Sequence, residues 1–188
     1  MCKLDADKTA VVLGCGMEGL LTVAALKTLG INKIIVIDKE SEKSRAMEFG
    51  AWEFIGSHGK NGVAGVKDKI RAAAGDMADA VFICTDSPMG RNVARRFMKN
   101  SGSICEMGFL CGWRRTPTAR YFEDSMPAGG RFYAARDYEN CMNFLAKAAE
   151  MKLPLYKLIT HRYKLEEINE AMWTVVREEG LGIAVFNR

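Results

Sequence analysis

One short stretch constrains this chain more than any other. Gly14-Cys15-Gly16-Met17-Glu18-Gly19 sits between an apolar run, Thr9-Ala10-Val11-Val12-Leu13, and a segment with Leu20, Leu21, Ala24, Ala25 and Leu29 at helical spacing before Gly30. The apolar run reads as a buried strand, and the segment after it as a helix with a glycine stop. Each of the three glycines has its own physical use at such a strand-to-helix turn. Gly14 permits the tight turn, Gly16 lets the backbone approach a ligand, and Gly19 lets the helix close onto the strand. The first-turn amides, from Met17 through Glu18 and Gly19 to Leu20, lack intrahelical partners and, with the helix dipole, attract an anion such as a pyrophosphate. Glu18 fits beside an anion only if its side chain points away along the exposed helix face.

A second β-branched run, Ile34-Ile35-Val36-Ile37, ends at Asp38, 19 residues past Gly19. A carboxylate there can accept hydrogen bonds from both hydroxyls of an adenine ribose. It also repels a 2′-phosphate, so NAD is favoured over NADP, a preference that the nearby Lys39 and Arg45 soften. The plain alternative is a glycine-rich turn without a ligand and a solvated strand-end acid. The spacing and the strand–turn–helix context together favour a dinucleotide site. Other chemistries fail on their own residues. A methyltransferase using S-adenosylmethionine usually has an acid two residues before the first glycine and a glycine two residues after the second, where Val12 and Glu18 stand. No tyrosine has lysine four residues on, as a short-chain dehydrogenase would need. Gly59-Lys60-Asn61 fails the Gly-Lys-Ser/Thr of a Walker loop.

The rest of the chain repeats the strand–helix rhythm. Ser41 is placed to cap a helix running to Phe49. Trp52–Ile55 reads as a third strand, Gly56–Gly62 as a polar loop holding a solvated His58, and Val63–Ala74 as a helix of low amphipathicity. Asp79–Cys84 reads as a fourth strand. Ser87-Pro88 opens a helix to about Lys99, with Met89, Val93 and Phe97 on one face. Gly102–Met107 is a fifth strand, Cys111–Gly130 a loop, and Arg131–Ala135 a sixth strand. Asp137–Met151 reads as a helix with Cys141, Phe144, Leu145 and Ala148 inward. Leu165–Arg177 reads as another, with Leu165, Ile168, Met172, Val175 and Val176 on one face, and Ile183–Phe186 as a terminal strand. Alternating strands and helices give βαβ units, hence an α/β Rossmann fold: a doubly wound parallel sheet of about six strands in the order 3-2-1-4-5-6. The alternation ends near Lys152-Leu153-Pro154, so residues 1–153 are expected to form the NAD-binding domain and 154–188 a C-terminal segment.

Composition excludes several classes. The 188 residues carry 27 basic and 23 acidic side chains, a net charge of +4. The densest basic spots, Arg95-Arg96 and Arg114-Arg115, are only pairs and read as solvated surface, so nucleic acid is not an expected partner. No apolar run approaches the ~20 residues of a membrane span, and no signal peptide precedes the first strand. The expectation is a soluble, cytoplasmic protein with no membrane partner. Cys2, Cys15, Cys84, Cys105, Cys111 and Cys141 include no C-x-x-C pair and read as small buried hydrophobes in a reducing compartment.

On these residues the chain resembles the zinc-type alcohol, sorbitol and threonine dehydrogenases of the medium-chain dehydrogenase/reductase family. The similar stretches are Val11–Gly16 through Asp38, Ala46-Met47-Glu48-Phe49-Gly50-Ala51, Ala78–Phe82, Asn100–Gly108, and most tellingly Leu158–Ala171 with the terminal strand. The likeness covers nearly the whole chain and is weakest between Leu110 and Gly130. It implies that Thr85, Met107, Gly108 and Phe109 line the path from adenosine to nicotinamide, with Gly129 and Gly130 near the nicotinamide amide. For Met107 and Phe109 core packing is an equal reading. It also implies that His161 is structural and that no residue here is catalytic. The family's zinc ligands sit in a separate N-terminal domain. Zinc needs three or four ligands converging at about 2.0–2.3 Å, and two isolated histidines and six scattered cysteines offer no such set. The chain is therefore expected to be a fragment: the cofactor domain and C-terminal segment, inactive alone, of an enzyme oxidising an alcohol or polyol with NAD. Its tail would pack on the catalytic domain or, lacking it, self-associate, making a homo-oligomer the expected state. The rivals are a regulatory NAD-sensing module, against which Leu158–Ala171 speaks, and the disfavoured methyltransferase.

Overall fold

The computed structural model describes residues 4–57, 62–85, 90, 93–107, 137–177 and 180–186. They fall into two compact units, one through Leu153 and one from Pro154.

The first unit is built on five strands: β1 (Thr9–Leu13), β2 (Lys33–Asp38), β3 (Glu53–Gly56), β4 (Ala78–Ile83) and β5 (Met98–Glu106). All neighbours are parallel and the order is β3-β2-β1-β4-β5. β1 is central, with Val11 paired to Ile35 on one side and Val81 on the other. A strand flanked on both edges and covered on both faces must be apolar throughout, and every residue of β1 is buried. One face of the sheet carries Val11, Leu13, Ile35, Ile37, Val81 and Ile83. It meets Val66 and Ile70 of α3 (Gly62–Ala74), which corrects the expectation of low amphipathicity for that helix. In α1 (Met17–Thr28), Leu20, Val23, Ala24 and Leu26 are buried.

Three helices of this unit end alike. After α1, after α2 (Lys43–Glu48) and after α4 (Asp137–Glu150), two amides turn back onto the last carbonyls. Ile31 donates to Leu26 and Gly30 to Lys27; Ala51 to Ala46 and Gly50 to Met47; Leu153 to Ala148 and Lys152 to Ala149. This Schellman closure needs a left-handed residue. Gly30 (φ 86°) and Gly50 (φ 106°) supply it twice, and Lys152 (φ 57°) the third time.

Some sequence expectations shift. Ser41 caps nothing: it lies inside a 3-10 turn, Glu40–Glu42, closed by the Glu42 amide on the Lys39 carbonyl (2.9 Å). The helix expected to reach Lys99 gives way to a 3-10 turn at Arg95–Phe97, and β5 begins at Met98 rather than Gly102. Lys99 is held there by Asp79, whose other oxygen takes the Thr9 amide, both at 2.9 Å. In α4 only Ala148 is buried; Cys141 and Leu145, expected inward, are exposed. The starts expected at Ser87-Pro88, the loop at Cys111–Gly130 and the sixth strand at Arg131–Ala135 lie outside the described residues.

The second unit pairs β6 (Ile159–Lys164) in parallel with β7 (Gly182–Phe186), joined through α5 (Ile168–Val176). β6 was not apparent in the sequence. Leu165 falls in a 3-10 turn ahead of the helix. The unit closes on Thr174, buried and bonded to Tyr163 Oη (2.8 Å), while the apolar Leu165, Ile168, Met172, Val175 and Val176 are exposed. His161 stacks on Tyr163 and bonds Thr160 Oγ1 through Nδ1 (2.9 Å), a packing arrangement.

Candidate functional site

The glycine loop lies at the C-terminal ends of β1, β2 and β4. The Gly14 amide donates to the Ile37 carbonyl (3.0 Å), and the Cys84 amide to Leu13 (2.8 Å). The three glycines then part company. Gly14 has φ +99°, and a Cβ there would lie 2.5 Å from the Cys84 carbonyl oxygen. A Cβ on Gly19 would collide with the Gly14 carbonyl. Both are demanded by the chain's own backbone. Gly16 is not: its φ of −68° suits any residue, and its Cβ would meet nothing within 4 Å. Gly16 is the N-cap of α1, and no side chain caps that end. The first-turn amides of Met17, Glu18 and Gly19 therefore face the loop with no capping oxygen from a Gly16 side chain. Met17 and Glu18 are exposed, as an anion site at a helix start requires.

Asp38 ends β2 beside this loop, half-buried. One carboxylate oxygen accepts the Cys15 amide (2.5 Å) and the other the Lys39 amide (2.7 Å). The acid thus fastens the glycine loop to β2, a role not evident from spacing alone. A carboxylate has about four acceptor positions, so two remain for ribose hydroxyls. Lys39 itself is exposed. Arg45, expected to temper the acid, is instead tied to Glu42 (Nη1–Oε2 2.6 Å). The spacing of three residues on one helical turn was the available signal for that pair.

Thr85 follows β4 and packs against Gly14, whose Cβ would fall 3.2 Å from that of Thr85. Met107 follows β5, with its amide on the Ile83 carbonyl (2.9 Å). It is 48% exposed, which removes core packing as its explanation. Gly108, Phe109, Gly129, Gly130 and His58 lie outside the described residues.

The thiols divide. Burial, then the nearby Asp38 and Glu42 charges, push the Cys15 thiol up to about 12. Burial likewise pushes Cys84 up to about 12, with its sulfur 3.5 Å from Thr22 Oγ1. Both are neutral fillers, as expected. Cys105 is only half-buried and Cys141 is exposed, which corrects the expectation for those two. Among the described residues no three His, Cys, Asp or Glu side chains converge to hold a metal, so these residues do not fit a zinc ion. Among them, too, no helix is long and apolar enough to cross a membrane.

Comparison with known proteins agrees with this geometry. Residues 19–147 match the family model described as zinc-binding dehydrogenase. Sorbitol dehydrogenase 1 of Saccharomyces cerevisiae is 29% identical over 166 residues, 86% of this chain and 46% of that protein. Of solved structures, an alcohol dehydrogenase from Thermotoga maritima superposes with a TM-score of 0.84 at 21% identity, covering 96% of this chain and 50% of its own. A short chain alcohol dehydrogenase from E. coli CFT073, complexed with cofactor NADH, gives 0.70 at 19%, covering 95% and 51%. The chain spans about half the length of the curated relatives it matches.

Proposed function

This chain belongs to the zinc-binding dehydrogenase family, and on that premise we propose that its first unit holds NAD for a dehydrogenase of alcohols or polyols. The observation that carries the reading is Gly16. The fold has no need of a glycine there, and the space its missing Cβ leaves open lies over the uncapped first turn of α1, where a pyrophosphate would sit. Met17, Glu18 and Gly19 offer backbone amides to it, whereas the Leu20 amide, expected among them, is spent on the Gly16 carbonyl (3.0 Å). Asp38, its orientation fixed by the Cys15 and Lys39 amides, accepts the ribose hydroxyls and disfavours a 2′-phosphate. Lys39 borders that ribose site. Thr85 and Met107 flank the route to the nicotinamide. When bound, the dinucleotide supplies the hydride acceptor.

Chemistry at the alcohol, and any zinc, belong in this reading to a further domain; the described residues bring no three metal-ligating side chains together. Residues 154–188 would serve as the contact with it: six large apolar side chains of the Leu165–Val176 stretch are exposed, Met172 to 59%. Without such cover the chain would self-associate through the same face. Neither alternative weighed above, a regulatory NAD-sensing module or a methyltransferase, is supported by the similarities found.

The test is calorimetric titration of the chain with NAD and NADP, native and as Asp38→Asn. NAD binding in preference to NADP, with the gap narrowed by the substitution, is the expected result. Absence of binding by the native chain, or a preference that the substitution leaves untouched, would refute it.

A further inference from the structure

The connection after β2 carries more charge than its ribose acid. Within eight residues stand Asp38, Lys39, Glu40, Glu42, Lys43 and Arg45. The two cations of the first turn of α2 are each matched with an acid three residues earlier. Lys43 reaches Glu40 only loosely (3.8 Å, both exposed), but Arg45 meets Glu42 at 2.6 Å with the Glu42 side chain three-quarters buried. This tight pair lies next to the ribose acid. The Glu42 carbonyl is 4.0 Å from Cys15 Sγ, and the amide of the same Cys15 is bonded to Asp38. The Cys15 thiol feels all three charges, Asp38 and Glu42 raising it and Arg45 lowering it.

An arginine beside a ribose-binding acid is the ordinary means of accepting a 2′-phosphate, because its planar fork matches phosphate oxygens. Here that fork is already spent. We propose that Glu42 is a second determinant of cofactor choice, holding Arg45 in an ion pair that keeps its guanidinium from a 2′-phosphate beside Asp38. The proposal rests on the reading of Asp38 as the ribose acceptor. Glu42 touches no nucleotide in it; it is a positioning residue acting through Arg45. Discrimination then has two layers, repulsion from Asp38 and sequestration of Arg45. The second layer is the weaker one, since an ion pair at a partly exposed site is worth little.

The experiment measures dissociation constants for NAD and NADP on the full chain, native and as Glu42→Gln, Glu42→Asp and Glu42→Gln/Arg45→Gln. In Glu42→Gln, NADP should tighten roughly fivefold or more while NAD changes less than about twofold. Glu42→Asp should restore the native ratio, and the double variant should lose the gain. A merely structural role for Glu42 would weaken both nucleotides alike and would overturn the proposal. So would normal NAD binding with no gain for NADP, or a gain that survives in the double variant. If the native chain binds neither nucleotide, the dinucleotide reading falls first and this inference with it.

Discussion

Two glycines two residues apart should respond oppositely to a side chain, and the contrast separates fold from function. At Gly14 a Cβ faces two penalties. The left-handed φ of +99° costs a non-glycine residue about 1–2 kcal/mol. The 2.5 Å approach to the Cys84 carbonyl is a clash with backbone, which cannot swing aside, and overpacking of that kind costs about 1–3 kcal/mol. Gly14→Ala should therefore lose about 2–5 kcal/mol, or some 5–15 °C of melting temperature at roughly 3 °C per kcal/mol for a chain of this size. At Gly16 the backbone is ordinary and the space is open, so Gly16→Val should cost only the difference between the two as N-caps, about 1 kcal/mol or less. Its isopropyl group would nevertheless stand where the pyrophosphate approaches. Displacing the phosphate from two amides, each charge-assisted bond worth about 1.5–3 kcal/mol, should weaken NAD at least a hundredfold. Thermal melts with calorimetric titration read both quantities on the same samples. A Gly16→Val chain that melts near the native temperature and still binds NAD at native affinity would refute the assignment of the loop.

The helix ends offer a stabilising change. Lys152 takes the left-handed place that Gly30 and Gly50 fill after the other two helices, so Lys152→Gly should raise stability by about 0.5–1 kcal/mol, seen as a higher melting temperature; a fall would mean the lysine side chain contributes more than its strained backbone costs. The Thr9–Asp79–Lys99 arrangement should give stability a pH dependence. Burial pushes the Asp79 carboxyl up, but the Thr9 amide and the Lys99 ammonium together outweigh it and hold it below the usual 3.8. Its hydrogen bond to Asp79, partly offset by burial, holds Lys99 above the usual 10.5. A lowered acid contributes above its unfolded value and is lost as pH falls through its folded one; a raised base contributes below its unfolded value and is lost as pH rises through its folded one. The native chain should thus gain over Asp79→Asn between about pH 4 and 10, by about 1–2 kcal/mol in urea melts at pH 7, with the gap closing below pH 4. A gap independent of pH would assign the effect to packing instead.

What the sequence revealed and what it hid follow from the same physics. The Thr9–Asp38 unit was legible because each signal is local and chemically narrow: β-branched runs for strands buried on both faces, glycines where only glycine fits, an acid where a strand ends. The start of β5 was not, because Lys99-Asn100-Ser101 is polar and is kept in the sheet by the pairing of Lys99 with Asp79, 20 residues away, beside a register shift at Ala78–Ala80. β6 was hard to read because a strand paired, among the described residues, on one side only buries little: its alternation sets half-buried His161 and Tyr163 between exposed Thr160, Arg162 and Lys164, with Ile159 its one aliphatic residue. Ser41 has the right residue type for a cap, but the turn closes two residues ahead of it at Lys39. The second task of Asp38, fastening the loop through the Cys15 amide, depends on a tertiary contact across 23 residues that no spacing rule contains.

The most direct test of a dinucleotide seated on the glycine loop is an amide-resolved NMR titration of the ¹⁵N-labelled chain with NAD. Binding as described should move the amide signals of Gly16, Met17, Glu18 and Gly19 most, those of Cys15 and Lys39 with them through Asp38, and leave α3 and the β6–β7 unit unmoved. Saturable binding whose largest shifts fall on α3 or on the second unit, with the Gly16–Gly19 amides still, would contradict it.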